Sequence, residues 1–411
     1  MKRISTVICA LALILAASSC KESMNSLTKR VMKVATAQFE MMDARLPLDS
    51  LPKTFIDGRN VDSGLKWWCS GFFPGSLWYV YEGTGDEHIK ELAIKNTLKL
   101  SSILDYPTHH DIGFQVNCSY GNAYRLTGDE AYLPLMEASA KRLADRFSPI
   151  VGCIKSWDNE FPGVLYPVII DNMMNLEHLL NCDELFDYPI FTAVAKQHAK
   201  TTIINHFRAD NSCWHLVDYN PTTGEVDHKQ TVQGFCDDSA WSRGQAWALY
   251  GYSMMYERTK DELFLEQAEK VARYILPLLC EDGIPYWDFN APGTPNAMPL
   301  DSRGAAEIVT WTEGEPVKRD ASAGAVMASG FITLSTLTAD SELAARCRAM
   351  AEKQIRTLAS DEYLAKPGEN GGFLLKHSVG NLHHGTEVDV PLTYADYYFL
   401  EAIMKYNKLS K

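Results

Sequence analysis

Four segments of the chain gather residues capable of chemistry. The first is His109-His110-Asp111-Ile112-Gly113-Phe114, polar residues at the mouth of an apolar run. Asp111 reads in two ways there: as a helix N-cap that accepts from free N–H groups, or as a carboxylate held out for acid–base work. The second extends from Ser156-Trp157-Asp158-Asn159 to Tyr166-Pro167-Val168-Ile169-Ile170-Asp171-Asn172-Met173-Met174. Asp171 sits between an apolar run and two methionines. Such surroundings disfavour a charged carboxylate and raise its pKa, the property a proton-donating Asp needs near neutral pH. A second N-cap is the alternative. The third segment is Gln233 to Trp247, in which Arg243 and Trp247 are four apart and share a helix face. A guanidinium beside an aromatic face suits a sugar ring bearing a carboxylate, and a buried structural Arg explains the same pattern. The fourth, Lys376-His377-Ser378-Val379-Gly380-Asn381-Leu382-His383-His384-Gly385, precedes the last helix. It is either an ordinary glycine-containing surface turn or a rim loop where Lys376, Ser378 and the His pair meet a sulfate or a second sugar.

The elements that must position these residues are helical. Apolar residues recur with helical period over residues 86–104, 131–147, 168–180, 190–207, 240–256, 262–279, 321–337, 342–358 and 392–406. Adding 27–42, 73–81 and 114–124 predicts about twelve helices. Strand-like alternation is confined to short pieces near 213–219 and 371–377. A weak repeat marks the joints: Tyr81-Glu82-Gly83-Thr84-Gly85-Asp86-Glu87 matches residues 124–130 and 256–262, with looser versions at Asp183-Glu184 and at Thr338-Ala339-Asp340-Ser341-Glu342. Each reads as a helix end, a tight turn and an Asp that caps the next helix. Recurrent helix pairs indicate a closed ring or an open array, and the irregular repeat favours the ring, an all-α (α/α)₆ barrel of two concentric rings. The N-terminal ends of its inner helices open onto one face.

Composition narrows the function classes. With 411 residues, 46% hydrophobic and 11% aromatic, the chain is neither disordered nor a disulfide mini-scaffold. A net charge of −13 argues against nucleic acid as partner, which demands a basic face. Residues 1–20 are excluded from the fold. Met1-Lys2-Arg3 and the apolar run from Val7 to Ala17 form an export signal, too short for the roughly 20 residues of a membrane span. It ends Ala17-Ser18-Ser19-Cys20, the pattern of a bacterial lipoprotein signal, so Cys20 is the expected lipidation site. The expected product is an exported protein, periplasmic or held on the outer membrane of a Gram-negative-type cell, with residues 21–411 forming one barrel domain. Eight further cysteines are scattered singly without CxxC or metal spacing and read mostly as small core residues.

The chain resembles the unsaturated glucuronyl hydrolases of glycoside hydrolase family 88. The resemblance rests on Trp68-Cys69-Ser70-Gly71-Phe72, His110-Asp111-Ile112-Gly113-Phe114, Ile170-Asp171-Asn172-Met173-Met174-Asn175-Leu176, Ser239 to Trp247 and Asp320-Ala321-Ser322-Ala323, in the family's order. It implies the (α/α)₆ barrel, no metal and no organic cofactor. It implies action on lyase-made oligosaccharides that carry a 4,5-unsaturated uronic acid at the non-reducing end. By resemblance Asp171 is the general acid and Asp111 the second essential carboxylate. His110, Trp157, His215, Gln233, Arg243, Trp247 and Trp68 become substrate and water contacts, and the C-terminal loop a place of sulfate selection. Three readings compete: a sister enzyme acting on unsaturated galacturonyl-rhamnose from pectin, a surface lipoprotein that only binds glycans, and a sugar epimerase, which would need paired His.

Overall fold

The predicted Thr-x-Asp turn sets the architecture. In the computed structural model, which describes residues 22–158, 163–305 and 316–409, four helix pairs are joined by it. Thr84, Thr127, Thr259 and Thr338 each accept, through Oγ1, from the backbone N–H of the Asp two residues on, at 3.2, 3.1, 3.4 and 3.1 Å. That Asp accepts in turn from the new helix: Asp86 from His88 N, Asp129 from Ala131 N, Asp261 from Leu263 N and Asp340 from Glu342 N. Gly85 and Gly128 between them have φ of 69°, the left-handed conformation that lets the chain reverse in two residues. The looser version at Asp183-Glu184 is not a cap. Both residues lie inside a helix, and Asp183 accepts from Thr192 of the following one.

The helices are α1 (Met24–Arg45), α2 (Phe72–Thr84), α3 (Glu87–Leu98), α4 (Ile112–Val116), α5 (Asn122–Thr127), α6 (Leu133–Ala144), α7 (Asn172–Phe186), α8 (Pro189–His206), α9 (Ser242–Thr259), α10 (Glu262–Ile275), α11 (Ala321–Leu337), α12 (Ser341–Leu358) and α13 (Thr393–Lys408). One π turn, Asn117–Gly121, joins α4 to α5, so the described residues form twelve rods. They alternate in burial. α11 is buried at every position from Ala321 to Ser335, whereas α10 buries one stripe: Phe264, Leu265, Gln267, Ala268, Val271, Ala272 and Ile275. The more deeply buried rods α2, α4–α5, α7, α9, α11 and α13 pack in that order, and α13 closes on α2. The ring is therefore a closed (α/α)₆ barrel and not an open array. Its inner helices run in one direction, since residues at matching heights meet one another: Tyr79 and Tyr250, each about halfway along its helix, both donate to Glu401, halfway along α13.

Inner-to-outer connections are the short turns. Outer-to-inner connections are long and carry small sheets: β1 (Ser50–Ile56) with β2 (Arg59–Gly64), β3 (Phe147–Ser148) with β4 (Cys153–Ile154), β5 (Pro167–Ile169), β6 (Leu216–Tyr219) and β7 (Val226–Gln230) in one antiparallel sheet, and β8 (Ser378–Asn381) with β9 (Thr386–Val390). Three expectations are corrected here. The helix expected over 168–180 starts only at Asn172, because Pro167–Ile169 pairs with β6. Residues 371–377 are not a strand: a short 3-10 turn covers Asn370–Gly372, and β8 begins at Ser378. The β1–β2 hairpin was not foreseen, although its turn, Asp57-Gly58 with both φ positive (50° and 73°), is a strong short-range hairpin signal. The eight cysteines among the described residues are free thiols, seven of them buried; Cys280 lies beyond α10 and is half-buried.

The capping turns lie at the end of the barrel away from the long connections. Asp340→Ala should therefore lower stability, since its carboxylate accepts from both Glu342 and Leu343 at 3.0 Å. Turnover should not change. Thermal unfolding checks this, and an unchanged midpoint would show that the cap carries no weight.

Candidate active site

The long connections and the inner helix starts converge at one end of the barrel. Asp111 and Asp171 stand immediately before α4 and α7, in the N-cap position, yet neither side chain caps its helix. The capping alternative is thereby excluded for both. Asp320, before α11, shows the contrast: its carboxylate accepts from Ser322 N at 3.0 Å and from Ser322 Oγ at 2.6 Å.

The two free carboxylates occupy different environments. Asp171 is 8% exposed, with His215 Nε2 at 3.5 Å from its Oδ2. Burial pushes its pKa up to about 7, the Asp111 charge adds to that, and Arg243 and the Trp247 indole pull the other way. Asp111 accepts from His109 Nδ1 at 3.0 Å and lies 3.4 Å from His110 Nε2. Burial raises its pKa too, but His110, His109 and Arg146 outweigh it and hold the carboxyl below the usual range. One acid thus keeps its proton while its neighbour is ionised, the division that acid–base catalysis requires.

The imidazoles between them are neutral. Burial depresses His110 to about 4, and burial with Arg243 depresses His215 to about 3. His215 Nδ1 faces the Gln233 backbone N–H at 3.3 Å and so must accept. The proton then resides on Nε2, aimed at Asp171. Several buried polar atoms here have no partner of hydrogen-bond geometry among the described residues: both ring nitrogens of His110, Asp171 Oδ2, His215 Nε2, Trp247 Nε1 and Ser378 Oγ. Buried polar groups are normally satisfied, so this concentration marks a site that a polar ligand completes.

Other expected residues are placed differently. Arg243 is buried, and protein groups engage both terminal nitrogens of its guanidinium. It donates to Asp320 Oδ2 (2.9 Å), Gln233 Oε1 (3.2 Å), Gly380 O (2.6 Å) and Val379 O, and its guanidinium lies between the rings of Trp241 and Tyr394. These are contacts that the buried structural Arg of the alternative reading would make. Trp247 does share its helix face, but is sealed between Phe114 and Tyr398 and offers the site only its indole N–H. The aromatic walls are Trp68, half-buried against Phe72, Phe114 and Tyr394, and Trp157, edge-on to His110. Ser378 is buried on β8, one residue before the carbonyls that grip Arg243. Lys376 is not brought to the carboxylates; its ammonium donates to the Asp361 carbonyl at 2.8 Å in solvent. His384 accepts from Asn381 within the β8–β9 turn. Sequence reasoning missed Tyr394 and Trp241, the rings on either side of Arg243. Both adjoin the start of an inner helix, so the rule that found Asp111 and Asp171 reaches them as well.

Among the described residues Asp218, Asp227 and His228 alone approach metal-like spacing. Asp218, however, spends its carboxylate on the backbone N–H groups of Leu165 and Tyr166. The grouping braces the β5–β6–β7 sheet.

Burying a protonatable Asp has a thermodynamic consequence. The folded chain binds the Asp171 proton more tightly than the unfolded chain does. Its contribution is neutral below pH 3.8 and grows more destabilising up to the folded value of about 7. Asp171→Asn should match wild-type stability at pH 4 and exceed it at pH 8 by on the order of 2–4 kcal/mol. Denaturant titrations at the two pH values test this; a stability difference independent of pH would refute the raised pKa.

The comparisons with known proteins agree with this geometry. No family model matches the chain. The unsaturated glucuronyl hydrolase of Formosa agariphila is 39% identical over 347 residues, covering 84% of this chain and 81% of that protein. The unsaturated chondroitin disaccharide hydrolase of Streptococcus agalactiae is 30% identical over 87% of this chain and 85% of its own length. Among solved structures, an unsaturated glucuronyl hydrolase specific for heparin superposes with a TM-score of 0.85 at 42% identity, covering 94% of this chain and 98% of that one. With sequence, barrel and carboxylate pair in agreement, the chain belongs to the unsaturated glucuronyl hydrolases, the glycoside hydrolases of family 88.

Proposed function

We propose that the chain removes a 4,5-unsaturated uronic acid from the non-reducing end of lyase-generated glycosaminoglycan oligosaccharides, by hydrating its double bond. The observation that carries this reading is a buried Asp171 that keeps its proton to about pH 7 beside an ionised Asp111, among polar atoms without partners. The unsaturated sugar is an enol ether. Asp171 protonates C4, which leaves an oxocarbenium-like centre at C5 stabilised by the ring oxygen. The Asp171 carboxylate then takes a proton from a water whose oxygen bonds to C5, and the acid is regenerated. The hemiketal so formed opens and releases the aglycone. Because water adds at C5 and not at the anomeric carbon, the spacing of the two carboxylates does not dictate the anomeric outcome.

The surrounding residues have separable tasks. The N–H groups of His215 and Trp247 address the reacting region from the barrel interior, and Asp111 holds ring hydroxyls and keeps Asp171 protonated. Gln233, fixed by Arg243 on one side and His215 on the other, presents a polar wall. Trp68, Trp157 and His110 line the pocket, and Ser378 offers a hydroxyl at the C-terminal strand. Heparin-derived disaccharides stand first as substrates, because the structure 42% identical to this chain is described as specific for heparin, whereas the streptococcal chondroitin enzyme is 30% identical.

No helix among the described residues is long and apolar enough to cross a membrane. Cys20 and the signal segment lie outside the described residues. The small residues before Cys20 support export and attachment through an N-terminal lipid. Cys20→Ala should then move the protein from the membrane fraction to the soluble fraction; equal solubility of both forms would refute the anchor.

Loss of the enol-ether ultraviolet absorbance reports turnover directly. Asp171→Asn should lower kcat by at least ~10²-fold with the fold intact; a loss of only a few-fold would reassign the acid. Activity of the wild type should fall as pH rises through about 7, where Asp171 loses its proton. Asp111→Asn removes the like charge and should move that alkaline limb to lower pH in whatever turnover remains; an unmoved limb would deny the coupling. Preference for unsaturated galacturonyl-rhamnose over unsaturated glucuronyl disaccharides would transfer the chain to pectin breakdown.

A further inference from the structure

An α-helix begins with N–H groups that have no acceptor within the helix. In α4 these belong to Ile112, Gly113, Phe114 and Gln115. Ile112 and Gly113 donate to the His109 and His110 carbonyls at 3.3 and 3.2 Å, and Gln115 donates to the Asp111 carbonyl at 2.9 Å. Phe114 stands three residues after Asp111, where an N-cap carboxylate would serve it. It donates instead to Asn175 Oδ1, at 2.7 Å. Asn175 is fully buried on α7, one turn beyond Asp171. The two helices touch tightly at this point. A Cβ on Gly113 would lie 2.5 Å from Asn175 Oδ1 and 2.8 Å from its Cα, so any larger residue there would push them apart.

We infer that Asn175 caps α4 from the neighbouring helix, which frees the Asp111 carboxylate for the active site and, with Gly113, fixes the spacing of the two helices that carry Asp111 and Asp171. Asn175 is thus a positioning residue, and the inference rests on the reading of that pair given above. Without it, Asp111, the N-cap residue three positions before Phe114, stands where a carboxylate serves that bare N–H. A swing to that N–H takes the Asp111 charge away from Asp171. The other groups around Asp171 do not compensate. His110 and His215 remain neutral across the working range, Arg243 remains charged, Trp247 does not titrate, and His109, whose pKa the Asp111 carboxylate raises against burial, bonds Asp111 and not Asp171. Asp171 then gives up its proton at lower pH.

The test compares Asn175→Ala with Asn175→Asp, which keeps an acceptor oxygen in the same place. Both are assayed on an unsaturated glucuronyl disaccharide from pH 4.5 to 9. For Asn175→Ala we expect kcat to fall at least about tenfold, KM to change less than about threefold, and the alkaline limb of kcat to move down by at least about half a pH unit. For Asn175→Asp the limb should stay or move up. A structural role alone would lower the unfolding temperature and the active fraction but leave the limb in place. An unmoved limb in Asn175→Ala, or a downward shift in Asn175→Asp, overturns the inference, and the Asn175→Asp result decides alone if Asn175→Ala is not recovered folded. Wild-type protein inert on the disaccharide would instead overturn the proposed function, so the two failures are distinguishable.

Discussion

A buried guanidinium is tolerated only when its donors are met and its charge is balanced. Arg243 satisfies both conditions, and the site is arranged around it. Asp320 balances the charge, the Val379 and Gly380 carbonyls and Gln233 take further donors, and Trp241 and Tyr394 cover its faces. Through these contacts one side chain ties α9 to the start of α11, to β8 and to the first residues of α13. It also bears on the acid. Arg243 favours the ionised form of Asp171, and left unbalanced it would strip the proton that the chemistry uses. The Arg243–Asp320 pair therefore does more than hold loops together. Arg243 still pulls the Asp171 pKa down, and burial with the Asp111 charge outweighs that pull.

The two ends of the barrel divide the work. At one end, short turns with the same Thr and Asp pattern reverse the chain at least cost, and halfway along the barrel a buried network joins Tyr79, Tyr250, Ser329 and Glu401. At the other end the connections are long and irregular, and they carry the polar residues whose partners are missing. Rigid helices supply the spacing there while the loops supply the chemistry.

What was legible in the sequence follows the range of the interactions. Helix periodicity and the capping turns are local, and residues 321–337 were placed with the observed bounds. The closed ring followed from them. Asp111 and Asp171 were legible as polar residues before inner helices, but whether they cap or act was not, because the answer lies in Asn175, sixty-odd residues beyond Asp111 in sequence. The protein contacts of Arg243 were not legible for a similar reason. Its partners Val379 and Gly380 come from the far end of the chain and leave no trace in local spacing. Lys376 was drawn toward the site by its composition alone, while the backbone turns its ammonium to Asp361. The β1–β2 hairpin had a local signal, Asp57-Gly58, that the helical pattern on either side obscured.

The common direction of the inner helices has an electrostatic consequence. Each helix carries a partial positive charge at its N-terminus, and here six such ends converge on one mouth of a protein whose net charge is −13. An approaching anion thus meets two fields. Beyond roughly a Debye length, about 8 Å at physiological salt, it feels an acidic exterior. At the mouth it meets the positive ends of the inner helices and the Arg243 guanidinium, with the ionised Asp111 as a countercharge. A long polyanion keeps most of its charges against the repulsive exterior, whereas a disaccharide leaves that zone entirely on entering. The fold itself thereby favours short lyase products over the intact polymer, before any side chain reads the sugar.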